Sequence, residues 1–215
     1  MAESISIDVW SDVICPFCYL GSRQLHRAIE RFEHANDVVV THHAFELDPN
    51  TPLSFSQTLE ELVAHKYAMP VEKARELHHR LEAQAEEFDM TWSFASAKPT
   101  NTFDAHRLIA LSATQGLSER MSQRLFKAYF SDGHVISDHG QLNELARDVG
   151  VTNASALWKS DAFNDEVRAD EASANELGIT GVPAILIDKK FMVLGAQGVD
   201  QMVDVLRRAW DRRAA

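Results

Sequence analysis

The segment Ile5-Ser6-Ile7-Asp8-Val9-Trp10-Ser11-Asp12-Val13-Ile14-Cys15-Pro16-Phe17-Cys18 decides the fold. From Ser4 to Trp10 it alternates: Ile5, Ile7 and Val9 face one way, Ser6 and Asp8 the other, the period of a short strand. Past this strand a helix opens, and its apolar stripe runs through Cys18, Leu25, Ala28, Ile29 and Phe32. Cys15 and Cys18 are the only cysteines of the chain. Three apart at a helix start, they share one face and can form a disulfide. Cys15 falls among unpaired backbone N–H groups at the positive end of the helix dipole, a position that favours the nucleophilic thiolate. Pro16 takes a place where its missing N–H costs nothing. Phe17 adds no charge, so the helix terminus must do most of the thiolate stabilisation. Gly21, inside the stripe, reads as a weak point or a bend.

Further out, Val38 to Leu47 reads as a second strand, so the first fifty residues suggest a βαβ unit with a parallel pair and a right-handed crossover. Asp48-Pro49-Asn50-Thr51-Pro52 breaks that pattern. From about Ser56 to Leu177 the chain reads as almost wholly helical. Leu59, Leu62 and Val63 carry a short helix, and a longer one runs from Met69-Pro70 to Phe88. Asn101, with Asp104 three residues on, caps a third, and Ser118 caps a fourth. Asp138 and Gln141 form a capping-box-like pair for a fifth, ended by Gly150, and the last runs from Asp161 to Gly178. Ala184–Ile187 and Phe191–Leu194 then flank the turn Asp188-Lys189-Lys190 as a hairpin. Val199, Met202, Val203, Leu206 and Trp210 give a closing amphipathic helix. With the helical block removed, the order is that of an α/β thioredoxin-like fold, a four-stranded mixed sheet with flanking helices. The expected domains are residues 1–50 and 178–215 for that fold and 51–177 for an all-helical insertion.

Composition narrows the function. The chain has 215 residues, with 21 basic against 32 acidic ones and a net charge of −11. That balance argues against a nucleic-acid partner. No run of 18 apolar residues exists, so a membrane span is not expected. Met1-Ala2-Glu3-Ser4 offers neither a basic nor an apolar signal region, so a cytoplasmic location is expected. A structural disulfide is disfavoured in a reducing cytosol, which leaves redox chemistry or metal for the paired cysteines.

A second motif favours redox chemistry. In a thioredoxin-like fold, Cys-x-x-Cys follows the first strand, as here, and a cis-proline precedes the hairpin and packs beside the dithiol. Gly181-Val182-Pro183 stands at that place, and the backbone of Val182 is placed to pair with an extended substrate segment. The plainer reading of Gly-Val-Pro is a turn before a strand. Cys15 is expected to attack and Cys18, one turn inside, to resolve the mixed disulfide.

The stretch from Ser11 to Gly21 resembles the active-site segment of the DsbA-like oxidoreductases of the FrnE type. Asn101-Thr102-Phe103-Asp104-Ala105-His106-Arg107 is similar to that family's helical-insert signature. Gly178-Ile179-Thr180-Gly181-Val182-Pro183 and Gly195-Ala196-Gln197 are similar to its C-terminal half. The resemblance implies thiol–disulfide oxidoreductase activity with Cys15, Cys18 and Pro183 as the site. Val182, Pro16, Phe17 and His106 are the candidate substrate contacts. Many members carry tryptophan where this chain has Phe17. Some carry a second cysteine pair, which this chain lacks.

Other residues have plainer readings. Asp12 relays protons for Cys18, disfavours the thiolate of Cys15 by like charge, or simply bonds local backbone N–H groups. His106 and Arg107 either line a cleft or pack their helix. The pairs His42-His43 and His78-His79 diverge from their backbone and cannot chelate together. Met69, Met90 and Met121 read as core filler, and Glu82 to Asp89 as a solvated helix face. No metal site and no tightly held cofactor is expected, with glutathione a candidate redox partner. The leading function is a cytosolic disulfide reductase or isomerase acting on protein or small-molecule thiols and disulfides. A glutathione-dependent isomerase or transferase related to the kappa class is the second reading, and a zinc-binding non-catalytic protein the third.

Overall fold

The computed structural model describes residues 4–213. The expectation resting on Met1, Ala2 and Glu3 lies outside the described residues. In chain order the elements are β1 (Ile5–Ser11), α1 (Pro16–Glu30), β2 (Val38–Ala44), α2 (Leu59–Lys66), α3 (Val71–Glu86), α4 (Phe103–Ala113), α5 (Ser118–Phe130), α6 (His139–Val149), α7 (Ala154–Leu157), α8 (Asn164–Glu176), β3 (Ala184–Ile187), β4 (Phe191–Leu194) and α9 (Val199–Asp211). They fall into two units, Met1–Leu47 with Val167–Ala215, and Asp48–Glu166.

In the first unit the sheet order is β2-β1-β3-β4. β1 runs parallel to β2 and antiparallel to β3, and β3 pairs antiparallel with β4. Strand alternation sorts the side chains. Ile5, Ile7, Val9, Ile185, Ile187 and Val193 bury one face under Leu25 and Ala28 of α1, Phe32 just past its end, and Met202, Val203, Leu206 and Ala209 of α9. Each of the larger side chains among them contributes about 1.5–3 kcal/mol when fully removed from water. On the opposite face Trp10 and Ala184 pack with Ala174 of α8 and with Ile179.

β2 ends at Ala44 rather than Leu47. Phe45 N–H still donates to Ser11 O at 3.2 Å. Beyond it, Leu47 N–H turns to the Asp12 carboxylate at 2.8 Å, and Glu46 meets Arg168 at 2.7 Å. The second unit boundary lies at Glu166/Val167 rather than at 177/178, because α8 is tied to the sheet. His43 Nδ1 lies 2.6 Å from Asp170 Oδ1, Ala44 N–H donates to Asp170 Oδ2 at 2.9 Å, and Trp10 Nε1–H donates to Asp170 O at 3.2 Å.

The second unit is helical. Thr58 caps α2 with a full capping box to Glu61, a signature readable as Thr-x-x-Glu. α3 is preceded by Pro70 at its cap. Thr102 stands at the α4 cap, and it is Asn101 Oδ1 that accepts from Phe103 N–H at 2.9 Å. Leu117 rather than Ser118 precedes α5. Asp138 accepts from Gln141 N–H at 2.8 Å, but the Gln141 side chain turns to Val135 N–H instead of closing the box. Gly150 ends α6 at φ +87°, where a side chain would clash with its own backbone. The short helix α7 has no counterpart in the sequence pattern, and α8 starts at Asn164 rather than Asp161.

Tyr129, Phe126, Phe130, Leu108, Met121 and Leu142 are fully buried in this unit, and Met90 is buried as well, whereas Met69 is only half-buried. Glu82 does more than face solvent: its carboxylate accepts from Phe94 N–H at 2.8 Å. Among the described residues no helix is long and apolar enough to cross a membrane.

Candidate active site

The turn between β1 and α1 builds the dithiol. Cys15 N–H donates to Asp12 O at 3.0 Å, which closes the turn. Cys15 itself is the helix cap, in extended conformation at φ −88° and ψ 115°, with Pro16 in the first turn and no acidic residue there. Its carbonyl accepts from Cys18 N–H at 3.1 Å and Tyr19 N–H at 3.2 Å. Both cysteines are free thiols. The exposed part of this helix start is Phe17, at 46%, while Cys15 is 5% exposed and Cys18 is 1% exposed. Cys15 is therefore more sheltered than its place at a helix start suggests.

The segment before β3 reaches the same place. Cys15 Sγ lies 3.6 Å from Val182 O, and the Val182–Pro183 peptide is cis. Pro183 is buried and Val182 half-buried. Gly21 explains how Pro183 comes so close: a methyl group built on Gly21 would stand 3.1 Å from Pro183 Cγ and 3.8 Å from Ala196 Cα. α1 runs unbroken through this residue. Gly21 is thus neither a weak point nor a bend, but a close approach of helix to proline. Pro183 O accepts from Gly195 N–H at 2.8 Å, and Gln24 Oε1 accepts from Gly198 N–H at 2.9 Å. Cys18, Gly21 and Gln24 succeed one another at helical spacing along the face of α1 that receives these loops.

The two thiols sit in different fields. Burial pushes Cys18 well above the ordinary thiol value of 9.0, and the hydrogen bond and charge of Cys15 push the same way. The Asp12 carboxylate adds to this, while a backbone hydrogen bond at Asp12 opposes it. Cys18 is therefore held as a protonated thiol, which must shed a proton when it acts. Asp12 is fully buried. Its Oδ2 accepts from Leu47 N–H at 2.8 Å, and its Oδ1 faces Ile14 N–H at 3.5 Å. Its carboxylate thus faces the local backbone at Ile14 and, across 35 positions, bonds the segment after β2 at Leu47.

The structure gathers Cys15, Cys18, Val182 and Pro183, with Pro16 and Phe17 on the same helix start. His106 belongs to α4 in the second unit and is 3% exposed. Arg107 staples the chain after α7. It donates from Nε to Ala162 O at 3.0 Å, from Nη2 to Leu157 O at 3.0 Å and Ser160 O at 2.5 Å, and from Nη1 to Asp104 at 2.8 Å. The histidine pairs diverge. His43 is taken by Asp170 and Asp8, His78 stacks on Phe94 at 4.3 Å, and His79 meets Glu82 at 3.0 Å. Among the described residues no group of three or more His, Cys, Asp or Glu could hold a metal ion. Gly21 and Gln24 are site residues that sequence reasoning misses. Their signal is the Gly195-Ala196-Gln197 stretch, which needs something to rest on.

The DSBA-like thioredoxin domain matches residues 6–207. The chain is similar to a probable DsbA oxidoreductase from Streptomyces coelicolor, with 34% identity, a TM-score of 0.92, and 96% of this chain and 90% of that one covered. It is 25% identical over 201 residues to the uncharacterized protein YwbO of Bacillus subtilis (strain 168), covering 92% of this chain and 93% of YwbO. Its fold is shared with the cytosolic disulfide reductase DsbM of Pseudomonas aeruginosa, at 19% identity and a TM-score of 0.64 over 98% of this chain and 100% of that one.

Proposed function

The chain belongs to the DSBA-like thioredoxin domain family and is a thiol–disulfide oxidoreductase, and from that premise we propose that it works in the cytosol as a disulfide reductase or isomerase of the FrnE type. The observation that carries this reading is the placement of Cys15 Sγ 3.6 Å from Val182 O, with the buried Cys18 thiol as its neighbour. A substrate strand laid along Val182 would bring its disulfide to Cys15.

In the forward direction Cys15 Sγ attacks one sulfur of the substrate disulfide. The substrate S–S bond breaks, a mixed disulfide forms, and the leaving sulfur departs as a thiolate that takes up a proton. Cys18 then loses its proton and attacks Cys15 Sγ. The mixed disulfide breaks, the second substrate sulfur leaves, and the Cys15–Cys18 disulfide forms. Two electrons pass from enzyme to substrate. A low-molecular-weight thiol such as glutathione, oxidised to its disulfide, returns the enzyme to the dithiol. The kappa-class reading has no use for Cys18. The zinc reading needs two further ligands where Pro183 packs.

Insulin reduction with glutathione as the electron source tests the activity. The wild type should turn over, Cys15→Ser should not, and Cys18→Ser should accumulate the mixed disulfide. Turnover that survives Cys15→Ser overturns the reading. Rapid acid trapping and alkylation in cells tests the location, with Cys15 and Cys18 expected mainly as thiols. A pair trapped mainly as disulfide argues for an oxidising compartment.

A further inference from the structure

We propose that Gly21 is a positioning residue for disulfide exchange: by lacking a side chain, it sets the gap between the dithiol helix and Pro183, and so the distance from Cys15 at which Val182 presents a peptide substrate. The inference rests on the oxidoreductase reading and concerns substrates that carry a backbone.

Four contacts place it. The Gly21 methyl position lies 3.1 Å from Pro183 Cγ and 3.8 Å from the Ala196 backbone, so any side chain there meets both segments at once. Those segments are joined, since Gly195 N–H donates to Pro183 O at 2.8 Å. One turn further along α1, Gln24 Oε1 holds Gly198 N–H at 2.9 Å, which fixes the far end of the same loop. The Pro183 segment therefore rests on α1 at Gly21 and is secured at Gln24. A side chain at position 21 pushes it away from the helix that carries Cys15. Carbon–carbon contacts are comfortable at about 3.5–4.0 Å, so even a methyl group forces a shift of several tenths of an ångström.

A plain helix position would behave in the opposite way. Alanine is a better helix former than glycine, so Gly21→Ala at a position with no special role leaves the protein unchanged or better folded. The proposed role predicts a protein that folds but presents peptide substrates badly. A small disulfide that never pairs with Val182 should feel the change less.

The test compares second-order rate constants of the reduced protein with insulin and with dithiobis(nitrobenzoate), for wild type and Gly21→Ala. Misplacement by a fraction of an ångström should lower the insulin-to-small-disulfide rate ratio about tenfold, and Gly21→Val should lower it further. The drop should vanish when Pro183→Ala removes the ring that Gly21 accommodates, a coupling that general destabilisation does not produce. A ratio within about twofold of wild type, or the same drop in the Pro183→Ala background, overturns the proposal. If the wild type reacts with the small disulfide but not with insulin, the protein-substrate reading fails. Gly21 is then judged on the backbone amide resonances of Val182, Gly195 and Ala196 in Gly21→Ala: displaced signals support it, and unmoved signals overturn it.

Discussion

His43 Nδ1 lies 2.6 Å from Asp170 Oδ1, and the other ring nitrogen of His43 lies 3.1 Å from Asp8 Oδ1. One imidazole thus joins β1, β2 and α8, and it does so with a face stacked on Trp10 at 4.5 Å. α8 leads through Ile179 to Val182 and Pro183, so this link fixes the root of the segment that meets the dithiol.

The link should make stability depend on pH in a definite direction. Burial works against a charged ring, but the hydrogen bonds and charges of Asp170 and Asp8 outweigh it and raise His43 above its usual 6.5. A histidine raised on folding stabilises fully below 6.5, and that contribution fades as pH climbs through the raised value. Thermal melts of wild type and His43→Gln should therefore differ most on the acidic side and converge on the alkaline side. A gap that is flat with pH would leave only the stacking on Trp10.

Cys18 should resist deprotonation even without its partner. In Cys15→Ala the hydrogen bond and charge of Cys15 are gone, but burial, the largest cause, remains. Thiolate absorbance should rise only above 9.0 in the folded variant, and at ordinary pH once the protein is unfolded. A folded midpoint at or below 9.0 contradicts the assignment.

Gln24→Met keeps the bulk of a buried side chain and removes the acceptor for Gly198 N–H. The loss should cost about 1–2 kcal/mol in urea unfolding, the usual consequence of an orphaned polar group. Hydrogen exchange at Gly198 should accelerate, and equal exchange in both proteins would detach Gln24 from the loop.

Arg107→Lys tests whether the helical signature is structural. Lysine cannot reproduce a fork that serves Asp104 and three carbonyls, so the substitution should cost roughly 2–4 kcal/mol. Specific activity per folded molecule should hold. Lost turnover without lost stability would return Arg107 to the reaction.

The parts of the fold legible in the sequence are those with short periods. β1 alternates over its first five residues and α9 carries one continuous apolar stripe, so both appear where expected. Cys15 and Pro183 are legible because each sits at a junction between two such patterns. The end of β2 and the membership of α8 are not. They depend on Arg168 meeting Glu46 and Asp170 meeting His43, pairings across more than a hundred positions that no local period encodes. Gly21 misleads for a related reason. A glycine in a helix looks like weakness until the proline it accommodates is in view.

Sheet order also sets a schedule for biosynthesis. The parallel neighbour of β1 follows it closely in the chain, but its other edge waits for Ala184–Ile187. Throughout translation of the helical unit, the nascent protein carries both thiols without β3 and without the proline that packs against them. Such late, long-range pairing is slow and leaves an unpaired edge exposed. The dithiol is made early but completed as a site only near the end, so a ribosome stalled within the helices would hold reactive sulfur without the segment that positions its substrate.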